Sequence, residues 1–218
     1  MKNFFFVFTN SVYFSRQLGP VLTSDFASKL GLSVSLLERI MSLPKYSNNS
    51  TYDNNYVVQL LDNYRNHPAI LQFSNTEFYD SKLRSKMSKE DKKFTDNFNF
   101  LPDKSFPIVF HSVLTPNKIE CYLTSSYNIG EIKFVKFYVD LLMKIKIGNK
   151  NVDEFDIGIV SPYKAQLSRL RETFKNLKNI EIGTAEYYQG REKRIIIITT
   201  VRSESSVGFL KSEKVCEK

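Results

Sequence analysis

Apolar positions along the chain follow two spacings. Compact apolar runs of strand length stand at residues 4–8, 57–61, 107–111, 155–160, 180–182 and 194–201. Between several of them apolar residues recur every three to four positions, the spacing of an amphipathic helix. Residues 24–42 read as two short helices broken near Gly31, with Ser35 capping the second and Glu38 completing a capping box. Residues 44–55 are a polar loop. Pro68 suits a first helical turn, where its missing N–H costs nothing, and Ile70, Leu71, Phe73, Phe78 and Tyr79 give that helix a buried face. Asn128 with Glu131 reads as an N-cap and N3 pair. Ile132, Val135, Tyr138, Val139, Leu142 and Ile145 then follow as a core stripe that ends at Gly148.

The C-terminal third alternates most clearly. A strand over 155–160 leads to Ser161 as an N-cap and Pro162 as the first helical residue. Leu167, Leu170 and Phe174 face a core, while Lys164, Arg169, Arg171 and Lys175 leave the rest of that helix basic. The unbroken β-branched run at 194–201 reads as a strand buried on both faces, as in the middle of a parallel sheet. Strands alternating with helices predict an α/β fold with a mainly parallel sheet flanked by helices. Ligands of such sheets bind at the carboxyl ends of the strands. Three segments fall there or in adjoining loops: 64–68, 161–166 and 184–192.

Composition narrows the partners. With 42% hydrophobic and 25% charged residues the chain supports a packed core. The net charge of +8 favours nucleic acid or an anionic membrane surface over neutral partners, against the plainer reading of Lys-rich loops. Residues 81–93 carry six basic and two acidic side chains and read as solvated surface, with nucleic-acid contact as the alternative. Two cysteines and two histidines far apart give no metal-ligand spacing. The apolar core at 4–8 is shorter than a signal-peptide h-region, and no run reaches bilayer length, so a reducing, cytoplasmic setting is expected.

Arg65 offers a permanent planar fork of donors suited to phosphate oxygens. Tyr64 beside it can stack on a base. In the stretch "GTAEYYQGREKR", Gly190 permits close backbone approach, and Glu192 can accept a hydrogen bond from a sugar hydroxyl. "SPYKAQ" sets a helix N-terminus beside an aromatic ring, which suits a phosphate with a neighbouring base. Taken singly, each has a plainer reading: surface ion pairs for Arg65 and Glu192, and packing for Tyr64, Tyr163, Tyr187 and Tyr188.

In order along the chain stand "RQLGPVL" (16–22), "SLLERIM" (35–41), "NYRNHPAIL", "FYDSKL" (78–83), "VSPYKAQ" and "GTAEYYQGREKRIIIITTVRS". This ordered set resembles superfamily-one RNA helicases of the Upf-one-like group, nearest the branch of Armitage and the Moloney-leukaemia-virus-ten homologue. The resemblance implies two RecA-like domains with ATP in the cleft between them and single-stranded RNA across both. This chain would be the second RecA-like P-loop NTPase domain without the P-loop domain. It divides into an unmatched segment 1–15, a motif III remnant with connecting helices at 16–43, and the second domain at 44–218, incomplete at its C-terminus. By matched position Gln17 would sense the γ-phosphate and Arg65 would be an arginine finger. Tyr64 would stack near adenine, Glu192 would hold the ribose hydroxyls, and Gln189 and Gly190 would shape that loop. Pro162, Tyr163 and Thr184 would lie near RNA.

The same resemblance marks departures. Tyr13, Phe14 and Ser15 stand where the family has Gly-Asp-Pro, and no G-x-x-x-x-G-K-[ST] run occurs in the sequence. The family's magnesium-holding Asp-Glu pair and its last arginine, downstream of "GFLK", have no match here. ATP and magnesium are thus expected of an intact parent, the magnesium ligands lying outside this sequence, and the chain alone is expected not to hydrolyse ATP. The expected partners are single-stranded RNA, the first RecA-like domain and RNA-silencing proteins, with no membrane. The expected location is the cytoplasm, RNA granules included. A non-hydrolysing RNA-binding module and a decayed gene fragment stay open as alternatives, with a DNA helicase behind them.

Overall fold

Three parallel strands rich in isoleucine set the frame of the computed structural model, which describes residues 22, 24–44, 46–48, 51–52, 60–88, 98–120, 125–147 and 150–202. The predicted strand at 4–8, Gln17 with most of its motif, and residues 57–59 lie outside the described residues. The first elements are α1 (Asp25–Ala27), running into a π-turn at Ser28–Leu32, and α2 (Leu36–Met41). Gly31, at φ +85°, makes the predicted break. The Ser35 hydroxyl accepts from Glu38 N at 3.1 Å, so the capping half of the expected box is present. A hairpin follows, β1 (Ser47–Asn48) with β2 (Thr51–Tyr52).

Next come β3 (Asp62–Asn63), α3 (Pro68–Phe78) and β4 (Arg84–Ser85), with β3 and β4 parallel. Of the strand predicted over 57–61 only residues 60 and 61 are described; they lie outside a ladder and lead into β3. Leu71, Tyr79 and Leu83 form a small cluster under α3. Phe73 was expected in that face but is 66% exposed. Two residues beyond Leu71 it sits about 200° round the helix, on the outer side. After α3, the predicted strand over 107–111 has no ladder and runs irregularly; Pro107 has no N–H to give one.

The antiparallel pair β5 (Lys118–Glu120) and β6 (Ser125–Tyr127) leads into α4 (Ile129–Leu142). Ile132, Val135, Tyr138, Val139 and Leu142 are buried, as the periodicity requires. The helix stops at Leu142 rather than Gly148, and β7 (Lys146–Ile147) pairs with β8 (Lys150–Asn151) in a further hairpin.

A 3-10 turn at Glu154–Asp156 takes the first residues predicted for the next strand, which starts as β9 (Ile157–Val160). Then follow α5 (Lys164–Thr173), β10 (Glu181–Gly183) and β11 (Ile195–Ile198). The sheet order is β10-β9-β11, all parallel, with Ile197 opposite Ile159 and Ile182 on Ile159's other side. Among the described residues the middle strand is therefore β9; the all-isoleucine β11, expected in the middle, pairs with β9 alone. β11 is nonetheless buried on both faces at Ile195, Ile196 and Ile197. The main core lies between this sheet and the inner faces of α4 and α5, where Val135, Val139, Leu142, Leu167, Leu170 and Phe174 meet Ile157, Ile159 and Ile197. No helix among the described residues is long and apolar enough to cross a membrane.

The strand order reverses after β10: β9 leads through α5 to one neighbour, and the chain then passes to β9's other side. Such a reversal opens a crevice at the strands' carboxyl ends. Two strand glycines shape the return path. A Cβ on Gly158 would stand 2.5 Å from the Tyr188 hydroxyl oxygen and 2.8 Å from Ile196 Cδ1; one on Gly183 would stand 2.3 Å from the Tyr187 ring. Both tyrosines of the β10–β11 connection thus rest on bare backbone. Gly158→Ala is expected to destabilise the domain by about 1–3 kcal/mol, the range for overpacking a core. Urea unfolding would show a lower midpoint at constant slope. The cost should shrink in a Tyr188→Phe background, where the clashing oxygen is gone; equal costs in both backgrounds would refute the contact.

Candidate functional site

The segment after β3 is shaped by short side chains. Asn63 Oδ1 accepts from Arg65 N at 3.0 Å and from Asn66 N at 2.8 Å, an Asx turn that stops the strand and reverses the chain. His67 Nδ1 then accepts from Ala69 N at 3.3 Å, capping α3 with Pro68 at its first position. Ser85 Oγ donates to Asn66 O at 2.9 Å and ties the turn to β4. The turn leaves Tyr64 69% exposed and puts Arg65 at the surface.

The connection after β10 is clamped from several sides. Thr184 Oγ1 accepts from Tyr187 N at 3.3 Å, and Tyr188 Oη donates to Glu181 O at 2.6 Å. Burial pushes the Tyr188 hydroxyl's pKa far above the usual phenol value, so it remains a donor. Arg191 lies 4.3 Å over the Tyr187 ring, and Arg191 and Lys193 both pair with Glu181. Gly190 takes φ +77° with nothing within 4 Å of its missing Cβ. It makes the left-handed turn that leaves Gln189 and Glu192 exposed.

These two segments meet. Arg65 Nε and Glu192 Oε2 form an ion pair across 127 residues of sequence, with both side chains about half exposed or more. Two residues singled out for the same ligand, one for its phosphate and one for its sugar, therefore share one place. Of the other predicted residues, Gln189 and Gly190 lie on the same exposed turn as Glu192.

Pro162, Tyr163 and Thr184 gather at the ends of β9 and β10. Ser161 N donates to Gly183 O at 3.1 Å, so the ladder continues past the expected helix start. For that reason Ser161 is not the N-cap. The helix begins at Lys164 with Tyr163 in the cap position, and Ala165 N finds its acceptor in Ser125 Oγ at 3.1 Å. Tyr163 is only 9% exposed, with the Arg202 guanidinium 5.7 Å from its ring centroid. Pro162 and Thr184 are half-buried.

Beneath this end of the sheet runs a buried polar network that local sequence grammar does not reveal. Asn128 does cap α4, accepting from Glu131 N at 3.1 Å. The Glu131 side chain, however, turns away from the cap. Its Oε2 receives the Thr199 hydroxyl and, at 2.9 Å, Val201 N, and the residue is 4% exposed. Gln166 Nε2 donates to Thr199 Oγ1 at 2.9 Å, while its Oε1 accepts from Asn128 N at 2.9 Å. Asn128 Nδ2 donates to Thr115 O at 2.9 Å and Val201 O at 3.1 Å. Val201, fully buried, has φ +68°, and Arg202 N donates to Thr200 O at 2.8 Å around it. This is a γ-turn of the strained hand on a β-branched residue, costing about 1–3 kcal/mol. Glu131, Gln166, Val201 and Arg202 thus join the site. The available signal was a strand ending in Thr-Thr beside a helix that opens on Asn-x-x-Glu.

Burial raises the Glu131 pKa, against the lowering effect of the Thr199 and Val201 hydrogen bonds. A carboxyl whose folded pKa is raised stabilises the fold most below its unfolded value, about 4.3. That contribution is lost as pH rises through the folded value. Glu131→Gln stays neutral throughout and keeps an acceptor oxygen. Wild type should therefore lose stability relative to this variant as pH increases from about 4 to 7. Paired thermal melts across that range check it; a flat difference, or one of opposite sign, refutes it.

A family model described as an AAA domain matches residues 32–216. The putative helicase mov-10-B.1 of Danio rerio is 36% identical over 91% of this chain and 22% of its own length. The putative helicase MOV-10 of Gallus gallus is 34% identical over 91% of this chain and 23% of its own length. The probable RNA helicase armi of Drosophila melanogaster is 31% identical over 91% of this chain and 19% of its own length. The chain thus spans about a fifth of the length of these relatives. With its parallel α/β sheet and its ordered segments at the strand ends, the chain belongs to the AAA domain family, among the superfamily-one Upf-one-like helicases near the MOV-10 and Armitage branch.

Proposed function

We propose that this chain is the second RecA-like domain of an ATP-dependent RNA helicase, contributing one wall of the nucleotide cleft and part of the RNA track. The observation that carries the reading is the meeting of Arg65, just past the carboxyl end of β3, with Glu192, on the connection that leads into β11. A guanidinium and a carboxylate there supply what a nucleoside triphosphate needs from one side: a cation for its phosphates and an acceptor for its ribose. Being exposed, the pair is worth about 0–1 kcal/mol, so exchange for such a ligand costs little.

In this reading Arg65 stabilises charge on the transferring phosphoryl group, Tyr64 stacks near the adenine, and Gln189 and Gly190 shape the turn that carries Glu192. Gln17 senses the γ-phosphate. Pro162, Tyr163 and Thr184 line the RNA side. ATP supplies the phosphoryl group. The described residues include no cluster of three or more His, Cys, Asp or Glu fit to hold a metal ion. RNA silencing or turnover is the setting proposed for that helicase. Residues 16–43 act as the connector from the first domain.

Purified as 218 residues with single-stranded RNA, the chain is expected to release no phosphate from ATP above an Arg65→Lys variant. In a full-length helicase carrying this domain, Arg65→Ala is expected to lower kcat for RNA-stimulated hydrolysis by roughly 10³-fold or more, with RNA affinity little changed. Full hydrolysis by that variant would sink the finger assignment.

A further inference from the structure

The γ-turn at the end of β11 is strained, buried and held from both sides. Val201 N donates to Glu131 Oε2 at 2.9 Å, and Val201 O accepts from Asn128 Nδ2 at 3.1 Å. Every polar main-chain group of that residue is thus matched by a side chain of α4's first turn. Strain persists in a fold only where the surroundings over-determine it, and such residues cluster at functional sites. The turn has one evident product. It swings the chain at the end of β11 so that Arg202 comes over the Tyr163 ring at the end of β9, centroid distance 5.7 Å.

The two ends are neighbours by construction. Thr199 N donates to Val160 O at 2.9 Å, continuing the β9–β11 ladder one step before the turn. Ser161 N to Gly183 O does the same on the β10 side, which sets Thr184 beside Pro162. Tyr163, 9% exposed, offers little face of its own to a base; it serves as a platform for the half-buried Arg202. A guanidinium held over an aromatic ring loses little freedom on meeting a phosphate, and its planar fork fits phosphate oxygens.

We propose that Arg202 is a phosphate-binding residue for single-stranded RNA, and that Glu131 and Asn128 are positioning residues that hold the Val201 turn presenting it. This rests on the RNA reading above and adds to it residues from the end of β11 and the start of α4.

The test is fluorescence anisotropy of a labelled oligouridylate with the 218-residue chain over a series of salt concentrations. Arg202→Ala should weaken binding about tenfold at low salt, the loss of one charge-assisted contact. It should also flatten the log–log salt slope by about 0.7, the increment for one phosphate on a single strand. Arg202→Lys should keep the slope and lose a few-fold in affinity. Glu131→Ala, with Arg202 intact, should reproduce the flattened slope, and Glu131→Gln should restore it. Lys136→Ala removes the same charge from an exposed helical ion pair with Asp140 and should leave the slope unchanged. If Glu131→Ala fails to fold, the Arg202 variants decide, since they leave the buried network whole. Wild-type binding with an unaltered slope in Arg202→Ala overturns this proposal and leaves the RNA reading standing. So does an equal loss in Lys136→Ala. No wild-type binding at low salt overturns both.

Discussion

A carboxylate inside the protein, Glu131, is the interaction on which the carboxyl end of β11 depends. Its oxygen gathers the Thr199 hydroxyl and the Val201 N–H from the end of β11, while its own backbone N–H is taken by Asn128. Gln166 closes the ring from α5 by bridging Thr199 and Asn128. Burying such groups unpaired would cost several kcal/mol. Paired, they have few arrangements that satisfy every member, so the network fixes α4, α5 and β11 in one relation more tightly than apolar contacts would. The core of Val139, Leu170, Ile159 and Ile197 supplies adhesion; the network supplies register.

The other half of the site is held on different terms. The β10–β11 connection rests on the sheet because Gly158 and Gly183 leave room for Tyr188 and Tyr187. Glu181, taking both Arg191 and Lys193, fastens its far side. Outside that clamp the structure becomes light. Gly190 turns in open space, and Arg65 and Glu192 meet in solvent. Exposed pairs are screened and easily exchanged, whereas the buried network is neither.

Much of this was legible in sequence. The α4 stripe, the α5 core face, the break at Gly31, the capping by Ser35 and Asn128, and the start of α3 at Pro68 all rest on near-neighbour rules, and the structure obeys them. The failures share a cause. Glu131 reads locally as an N3 capping residue, but its partners lie 68 and 70 positions away. Ser161 reads as a cap, but a ladder bond to Gly183 keeps the chain extended there. The Arg202 guanidinium over the Tyr163 ring likewise comes from a segment 39 positions later. Gly158 and Gly183 give no local signal, since their neighbours are tyrosines from another segment. The 107–111 run and Phe73 show the converse: an apolar residue forms strand or core only where a partner exists.

The division between a rigid buried side and a light exposed side follows from what each has to do in the proposed function. A nucleotide that is bound, cleaved and released every cycle is served by contacts whose loss is cheap, because a deep well for it would slow release. A track for a long polyanion draws its affinity from many phosphates in parallel, so each contact gains most from being preorganised before the strand arrives. Arg65 and Glu192, half exposed and paired with each other, fit the first requirement. Arg202, set on Tyr163 by a strained turn that Glu131 and Asn128 hold from below, fits the second. Arg65 follows β3, paired with β4, whereas Arg202 follows β11, hydrogen-bonded to β9.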